Sequence, residues 1–219
     1  MELERLVARA TGSSRGGASV SEVHWLDQVH GTRVVAAHPR SPAAGGVGPP
    51  GVTAVFAGPG DALVSDSPEC ALVVLTADCA SIALGSSEGV FGVVHAGWRG
   101  LAGDVVEGAV GAMRTMGATR VVGALGPCIH ARCYEFSEDD LAGVAAVRGD
   151  GVRGLTAAGR PALDVPAAVS AALAASGAAE VVGIDACTAC EGGYFSHRAR
   201  GDGGRQALVV WSDPAPGPG

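Results

Sequence analysis

Short apolar runs bounded by glycine and polar residues recur along the chain, at residues 32–36, 71–76, 90–95, 120–125, 181–185 and 206–211. Runs of this length without strict alternation predict largely buried strands. Between them the period changes. Leu101, Val105, Ala109, Met113 and Met116 recur at helical spacing after Gly100 and predict one helix with a single apolar stripe. A second helix is predicted from about Pro166 to Ser176, with proline in its first turn and Gly177 as a stop. A weaker third starts at Ser137, where Ser137 and Asp140 have capping-box spacing with aspartate in place of the usual Glu or Gln, and Gly143 weakens it further. No fixed-period repeat or heptad pattern is present, so solenoids and coiled coils drop out and the mixture is α/β or α+β.

The length of 219 residues fits one domain over 1–219, long enough to bury its own core without disulfide or metal staples. Within it, 39–51 reads as a flexible Pro/Gly/Ala-rich loop and 213–219 as a disordered Pro/Gly tail. The net charge of −7 argues against nucleic acid and anionic membrane as partners and leaves a small-molecule substrate as the default. All 15 basic residues are arginines, which excludes Schiff-base and Walker-lysine chemistry. The first residues, Met1-Glu2-Leu3-Glu4-Arg5, lack a signal-peptide pattern, and the apolar stretches are interrupted by Asp78, Gly92 and Gly123, so a cytoplasmic location is expected. In that reducing compartment the six cysteines are expected as thiols or metal ligands.

Three positions at the ends of strand-like segments beside glycine carry the chemistry: His30 in Gln28-Val29-His30-Gly31, Cys79 in Thr76-Ala77-Asp78-Cys79, and His95 in Val94-His95-Ala96-Gly97. Open α/β sheets present ligands to a crevice at such strand ends. Two imidazoles and a thiolate would make a three-ligand metal site with an open fourth position, suited to activating water or polarising a substrate. The alternative is three buried polar residues satisfied by backbone groups. Asp78 is either a general base or orienter, or a residue facing away from Cys79 and bonding backbone. Arg99, entering a helix, could pair with phosphate or make a surface salt bridge. His197 could supply a fourth ligand or a general acid beside Arg198, or be an ordinary loop histidine. His24 and His38 are expected to face solvent or backbone partners. Cys187 and Cys190 have redox spacing without a thioredoxin-like context and are expected as reduced thiols, with Cys128 and Cys133 as small buried hydrophobes.

The segments DQVHGT, GDALVSD, TADC, VHAGWRG, GPC…CYE, CT…YFSHR and GRQ occur in the order and approximate spacing of the YfiH-like family, also called laccase-domain, polyphenol oxidase or peptidoglycan-editing-factor proteins. The chain resembles that family from about residue 22 to 211. The resemblance implies an α/β (α+β) sandwich of mixed β-sheets packed between helices. It implies zinc, or copper in some members, on His30, Cys79 and His95. With the residue readings above, it gives a catalytic set of Cys79, Asp78, Arg99 and His197, and a substrate-binding set of Gln28, Trp98, Arg99, His130, Arg132 and Arg198. The chain departs from the family pattern in three places. The segment from Arg15-Gly16-Gly17-Ala18-Ser19 to His24-Trp25-Leu26-Asp27-Gln28 is short. His130-Ala131-Arg132 stands where a Gly-Pro is usual, and Ser196-His197-Arg198-Ala199-Arg200 replaces SHRRD. His130 and Arg132 are therefore expected to alter substrate choice.

The resemblance implies zinc-dependent phosphorolysis of adenosine, inosine and methylthioadenosine, with adenosine deamination in some members, and phosphate as second substrate. The chain does not carry the common nucleobase-deaminase signature: there is no H-x-E, and Pro127-Cys128-Ile129-His130-Ala131 fails P-C-x-x-C. A polyphenol oxidase is a second reading, limited to a single copper because six histidines without an H-x-H pair cannot hold a multicopper cluster. Peptidoglycan-precursor amide hydrolysis, with Cys79 as nucleophile or metal thiolate, and a non-catalytic metal-binding protein complete the set.

Overall fold

The run Cys70–Thr76 forms a strand buried on both faces, as its unbroken apolar sequence requires. In the computed structural model, which describes residues 20–39, 52–181 and 183–212, it is one of twelve strands. In chain order these are β1 (Glu22–Asp27), β2 (Val34–Ala36), β3 (Thr53–Pro59), β4 (Ala62–Ser65), β5 (Cys70–Thr76), β6 (Ala80–Ser86), β7 (Phe91–Ala96), β8 (Val121–Leu125), β9 (Arg153–Leu155), β10 (Pro161–Leu163), β11 (Ala179–Glu180) and β12 (Gln206–Trp211). The helices are α1 (Trp98–Ala102), α2 (Val105–Thr115), α3 (Glu138–Arg148), α4 (Val165–Ser176) and α5 (His197–Arg200).

A mixed six-stranded sheet of order β11-β8-β6-β7-β4-β2 packs against a mixed four-stranded sheet of order β12-β5-β1-β3, and a β9–β10 hairpin stands apart. Alternation along the strands separates two cores. On β4 and β7, Ala62, Val64 and Val94 face a cluster shared with Val106, Val110 and Met113 of α2 and Val169 and Leu173 of α4. Leu63, Phe91 and Val93 point the other way, onto Leu72 and Val74 of β5. The α/β sandwich is thus helices on sheet on sheet. No helix among the described residues is long and apolar enough to cross a membrane.

The local signals for α3 and α4 appear as capping geometry. Ser137 Oγ accepts from Asp140 N at 3.1 Å and donates to Asp140 Oδ2 at 2.9 Å. Asp164 caps α4 through Ala167 N at 2.9 Å, and Gly177 ends it in the left-handed region. Gly143 lies inside α3 although nothing within 4 Å of its Cβ position requires glycine there.

Four expectations differ. The stripe from Leu101 to Met116 spans two helices, not one, broken at Gly103–Asp104. A Cβ on Gly103 would meet Thr32 Cγ2 at 2.7 Å, so the approach of the segment before β2 requires glycine at the break. Asp104 turns left-handed (φ 68°), and buried Arg148 donates to the Leu101 carbonyl and to the carboxylates of Asp104 and Glu107. The strand expected at 181–185 stops at Glu180; Val181 N and Ile184 N still bond the Gly123 and Leu125 carbonyls, but Gly183 lies directly against the Leu125 backbone and breaks the ladder. His24 is buried and bonds the Glu22 carboxylate at 2.9 Å, where a solvent-facing or backbone-bonded residue was expected, whereas His38 is exposed. Cys133 is half-buried and touches another sulfur. The motif at 15–19, nearly all of the 39–51 loop and the 213–219 tail lie outside the described residues.

Candidate metal centre

Parallel pairing of β1 with β5 brings the ends of both strands to one edge of the four-stranded sheet. Antiparallel pairing of β6 with β7 brings Cys79, just before β6, beside the end of β7, where His95 lies opposite Ser81. His95 has the same parity as Phe91 and Val93 and so faces the other sheet. Segments leaving β1, β5 and β7 therefore meet between the sheets, and one ligand atom each from His30, Cys79 and His95 falls within 4.8 Å of the others. The two imidazoles stand edge to face with ring centroids 4.8 Å apart.

Two of these turns need unusual backbone. Among the described non-glycine residues only His30 (φ 58°), Asp78 (φ 89°) and Asp104 have positive φ, and the first two flank this centre. Fully buried Asp61 offsets the cost at His30. Its Oδ1 accepts from His30 N at 2.9 Å and from His95 Nδ1 at 2.8 Å, and its Oδ2 accepts from Gly31 N at 2.7 Å. Burial pushes the Asp61 carboxyl up, but the bonds from His95, Gly31 and His30 outweigh it and hold the group below its ordinary range. As a carboxylate it fixes the proton on His95 Nδ1 and leaves Nε2 as the free ligand nitrogen.

Cys79 and His95 perturb each other as neighbouring donors at one point would. Burial pushes the Cys79 thiol up, and hydrogen bonding and charge from His30 and His95 reverse this, bringing it down to about 7. Burial pushes the His95 imidazole down, and Asp61 and Cys79 reverse that, raising it to about 9. The donors also have room: a Cβ on Gly97 would sit 2.9 Å from the His30 ring and 3.4 Å from Cys79 Sγ, so glycine in HAGWRG keeps the space clear. Two imidazoles and a thiolate fit one borderline-soft divalent ion with an open position.

The open side faces a cavity of about 540 Å³. Asp78, His197, Arg198 and Gln28 line it with the three ligands, as do Tyr134, Thr76 and Arg205, which were not singled out from the sequence. Asp78 has both oxygens engaged, Oδ1 accepting from Thr188 Oγ1 at 2.7 Å and Oδ2 from Arg198 N at 2.6 Å, and so anchors the start of α5. Gln28 bonds the Leu75 main chain in both directions at 2.8 Å and ties β1 to β5. The Arg198 guanidinium lies over the Tyr134 ring at 4.9 Å. The other residues of the expected substrate set stand outside the cavity lining. Trp98 packs edge to face on Phe136, exposed Arg99 stacks on Trp98, His130 lies 3.8 Å from the Asp185 carboxylate, and Arg132 is exposed.

A family model described as multi-copper polyphenol oxidoreductase laccase matches residues 5–213. The chain belongs to this laccase-domain, YfiH-like family. Among curated laccase-domain relatives, it is 38% identical to "Purine nucleoside phosphorylase ORF3" of Streptomyces griseus over 90% of this chain and 77% of that one. It is 33% identical to a purine nucleoside phosphorylase of Deinococcus radiodurans over 92% and 75%. The solved structure of Neisseria meningitidis protein NMB0706 superposes with a TM-score of 0.75 at 28% identity, covering 96% of this chain and 79% of that one. The Bacillus licheniformis protein YfiH shares the fold, with a TM-score of 0.77 at 21% identity over 96% and 79%. Asp61, missed as a site residue, lies inside the GDALVSD segment that helped carry the resemblance.

Proposed function

We propose that this laccase-domain protein is a zinc-dependent purine nucleoside phosphorylase in which His30, Cys79 and His95 hold the ion. The supporting observation is the convergence of these three donors at a cavity that also presents Arg198, Arg205 and His197. The relatives named as purine nucleoside phosphorylases point to the same chemistry. The cavity volume lies within the ~300–1,000 Å³ usual for small-molecule sites. In an acidic chain, two arginines and a histidine at one opening favour an anionic second substrate such as phosphate.

Phosphorolysis breaks the bond between ribose C1′ and the purine nitrogen and forms a bond from C1′ to a phosphate oxygen, and the departing purine gains a proton. Arg198 and Arg205 orient phosphate, and His197 is placed to deliver the proton. Asp78 is a positioning residue, because the bond it accepts from Arg198 N sets where His197 and Arg198 begin their turn, while its bond from Thr188 Oγ1 holds the 187–190 loop. Thr76 Oγ1, buried and without a partner among the described residues, is available to a polar substrate atom. Zinc, when bound, supplies Lewis-acid polarisation of a substrate atom at the open position. Trp98, Arg99, His130 and Arg132 take no part in this scheme.

The test is chromatography of adenosine incubated with metal-quantified protein, with and without phosphate. Adenine and ribose 1-phosphate appearing only with phosphate is the expected result. Inosine formed regardless of phosphate replaces phosphorolysis by deamination, and no turnover of any purine nucleoside overturns the proposal. The same donor set suits a single copper, and oxygen uptake with phenols on copper-loaded protein is the outcome that selects the oxidase reading.

A further inference from the structure

Three further cysteines, buried Cys187, half-buried Cys133 and exposed Cys190, come together beside Thr188, the residue that bonds Asp78. The turn at 187–190 carries Cys187 and Cys190, and the short 3-10 turn Ala131–Cys133 brings Cys133 against them. Their three sulfur atoms lie within 4.8 Å of one another, with Cys133 and Cys190 closest at 2.8 Å. We propose that Cys133, Cys187 and Cys190 form a second metal site, a tris-thiolate site for a soft divalent ion of the zinc class, separate from the centre on His30, Cys79 and His95.

A two-residue gap between cysteines places two sulfurs on one turn, the ligand spacing of structural zinc sites, and the third sulfur arrives from a distant segment. Zinc–sulfur bonds of about 2.3 Å in a tetrahedron put sulfurs about 3.8 Å apart, inside the 4.8 Å within which all three sulfurs lie. Side-chain rotation is enough to close the set on one ion. The loop is already ordered for this. Cys187 and Cys128 form a backbone bridge, Thr188 N bonds the Cys128 carbonyl at 3.0 Å, and Arg200 donates to the Thr188 and Ala189 carbonyls at 3.1 Å each. His130 N donates to Cys187 Sγ at 3.4 Å, an amide aimed at a sulfur as in a thiolate ligand.

A disulfide between Cys133 and Cys190 would use only two of the sulfurs and leave Cys187, the one receiving the amide, without a role. Cys190 is exposed, so the fourth position faces solvent and water can fill it. Cys128 is buried and is not among the three sulfurs that meet. An ion here ties together the turns that carry Tyr134, which lines the cavity, and Thr188, which holds Asp78. The site would brace the cavity wall without touching a substrate.

The experiment counts metal on the full chain, purified reduced and without chelator, for the wild type and for Cys187→Ser/Cys190→Ser. Two zinc ions per chain in the wild type and one in the double variant is the expected result. Equal zinc content in the two proteins, or a Cys133–Cys190 disulfide found by mass spectrometry in place of a second ion, overturns the proposal. If the double variant is insoluble, cobalt(II) titration of the wild type decides. A three-thiolate site gives a far stronger thiolate-to-cobalt absorption than Cys79 alone, and single-thiolate intensity at saturation refutes it. Neither readout depends on the purine reaction.

Discussion

Asp61→Asn isolates what a buried carboxylate does for the metal centre, because it preserves shape and removes only charge and acceptor capacity. Asp61 accepts three N–H groups, from His30, Gly31 and His95, at 2.7–2.9 Å with no exposure. An amide offers one oxygen and one NH₂, so in either orientation at least one of the three N–H groups faces another donor. One buried donor left unpaired costs about 1–3 kcal/mol. For a chain of this size that lowers Tm by roughly 2–4 °C per kcal/mol. The effect on the ion is separate: losing the partner that orients a ligating imidazole lowers affinity by about 10–100-fold, or about 1.4–2.8 kcal/mol at 1.4 per tenfold. Competition against a chromogenic zinc chelator measures affinity, and a thermal melt of metal-free protein measures stability. A variant that melts lower but binds zinc at the first centre as tightly as the wild type would show that Asp61 only props up the His30 turn.

Three further outcomes follow from the same geometry. Cys79→Ala should fold but lose the first-centre ion and nucleoside turnover together; full metal content with full turnover removes Cys79 from the site. Gly97→Ala places a methyl 2.9 Å from the His30 ring, and zinc affinity should drop on the order of tenfold as the ligand is displaced; unchanged affinity means the ring is free to move. Arg148→Met removes a buried guanidinium from the Leu101 carbonyl and from two partly exposed carboxylates and should cost about 1–3 kcal/mol in urea unfolding without changing metal content; no measurable loss contradicts its role in holding the break between α1 and α2.

Strands were legible wherever apolar residues ran without interruption, as at β5, β7 and β12, and helices wherever a start or stop was written locally, as at Ser137, Pro166 and Gly177. The missed strands β3, β4, β6, β9 and β10 are short or mix glycine, serine and charge into the run, so their identity comes from neighbours in the sheet. The break at Gly103–Asp104 was invisible for a related reason. Helical spacing continues through it, and only the approach of Thr32 and the carboxylate partners of a distant arginine decide that the chain turns there.

In the candidate site, the ligand types were legible and their supports were not. His30, Cys79 and His95 at strand ends leave a metal site and backbone-satisfied polar residues both open, and it was the resemblance that singled out the ligand reading. Asp61 does not stand out: an aspartate after a glycine at the start of a strand reads as turn chemistry until β4 pairs with β7 and carries it under His95. The same limit applied to the cysteines. Cys187 and Cys190 are neighbours in sequence, but Cys133 joins them only because Cys128 bridges the backbone of Cys187 and brings the two loops side by side. Asp78 shows both cases in one residue. Its position before Cys79 marked it as part of the site, and its two acceptor bonds, to Thr188 beside the second sulfur cluster and to Arg198 at the cavity, give it the task of fixing those two loops against the strand end that carries Cys79.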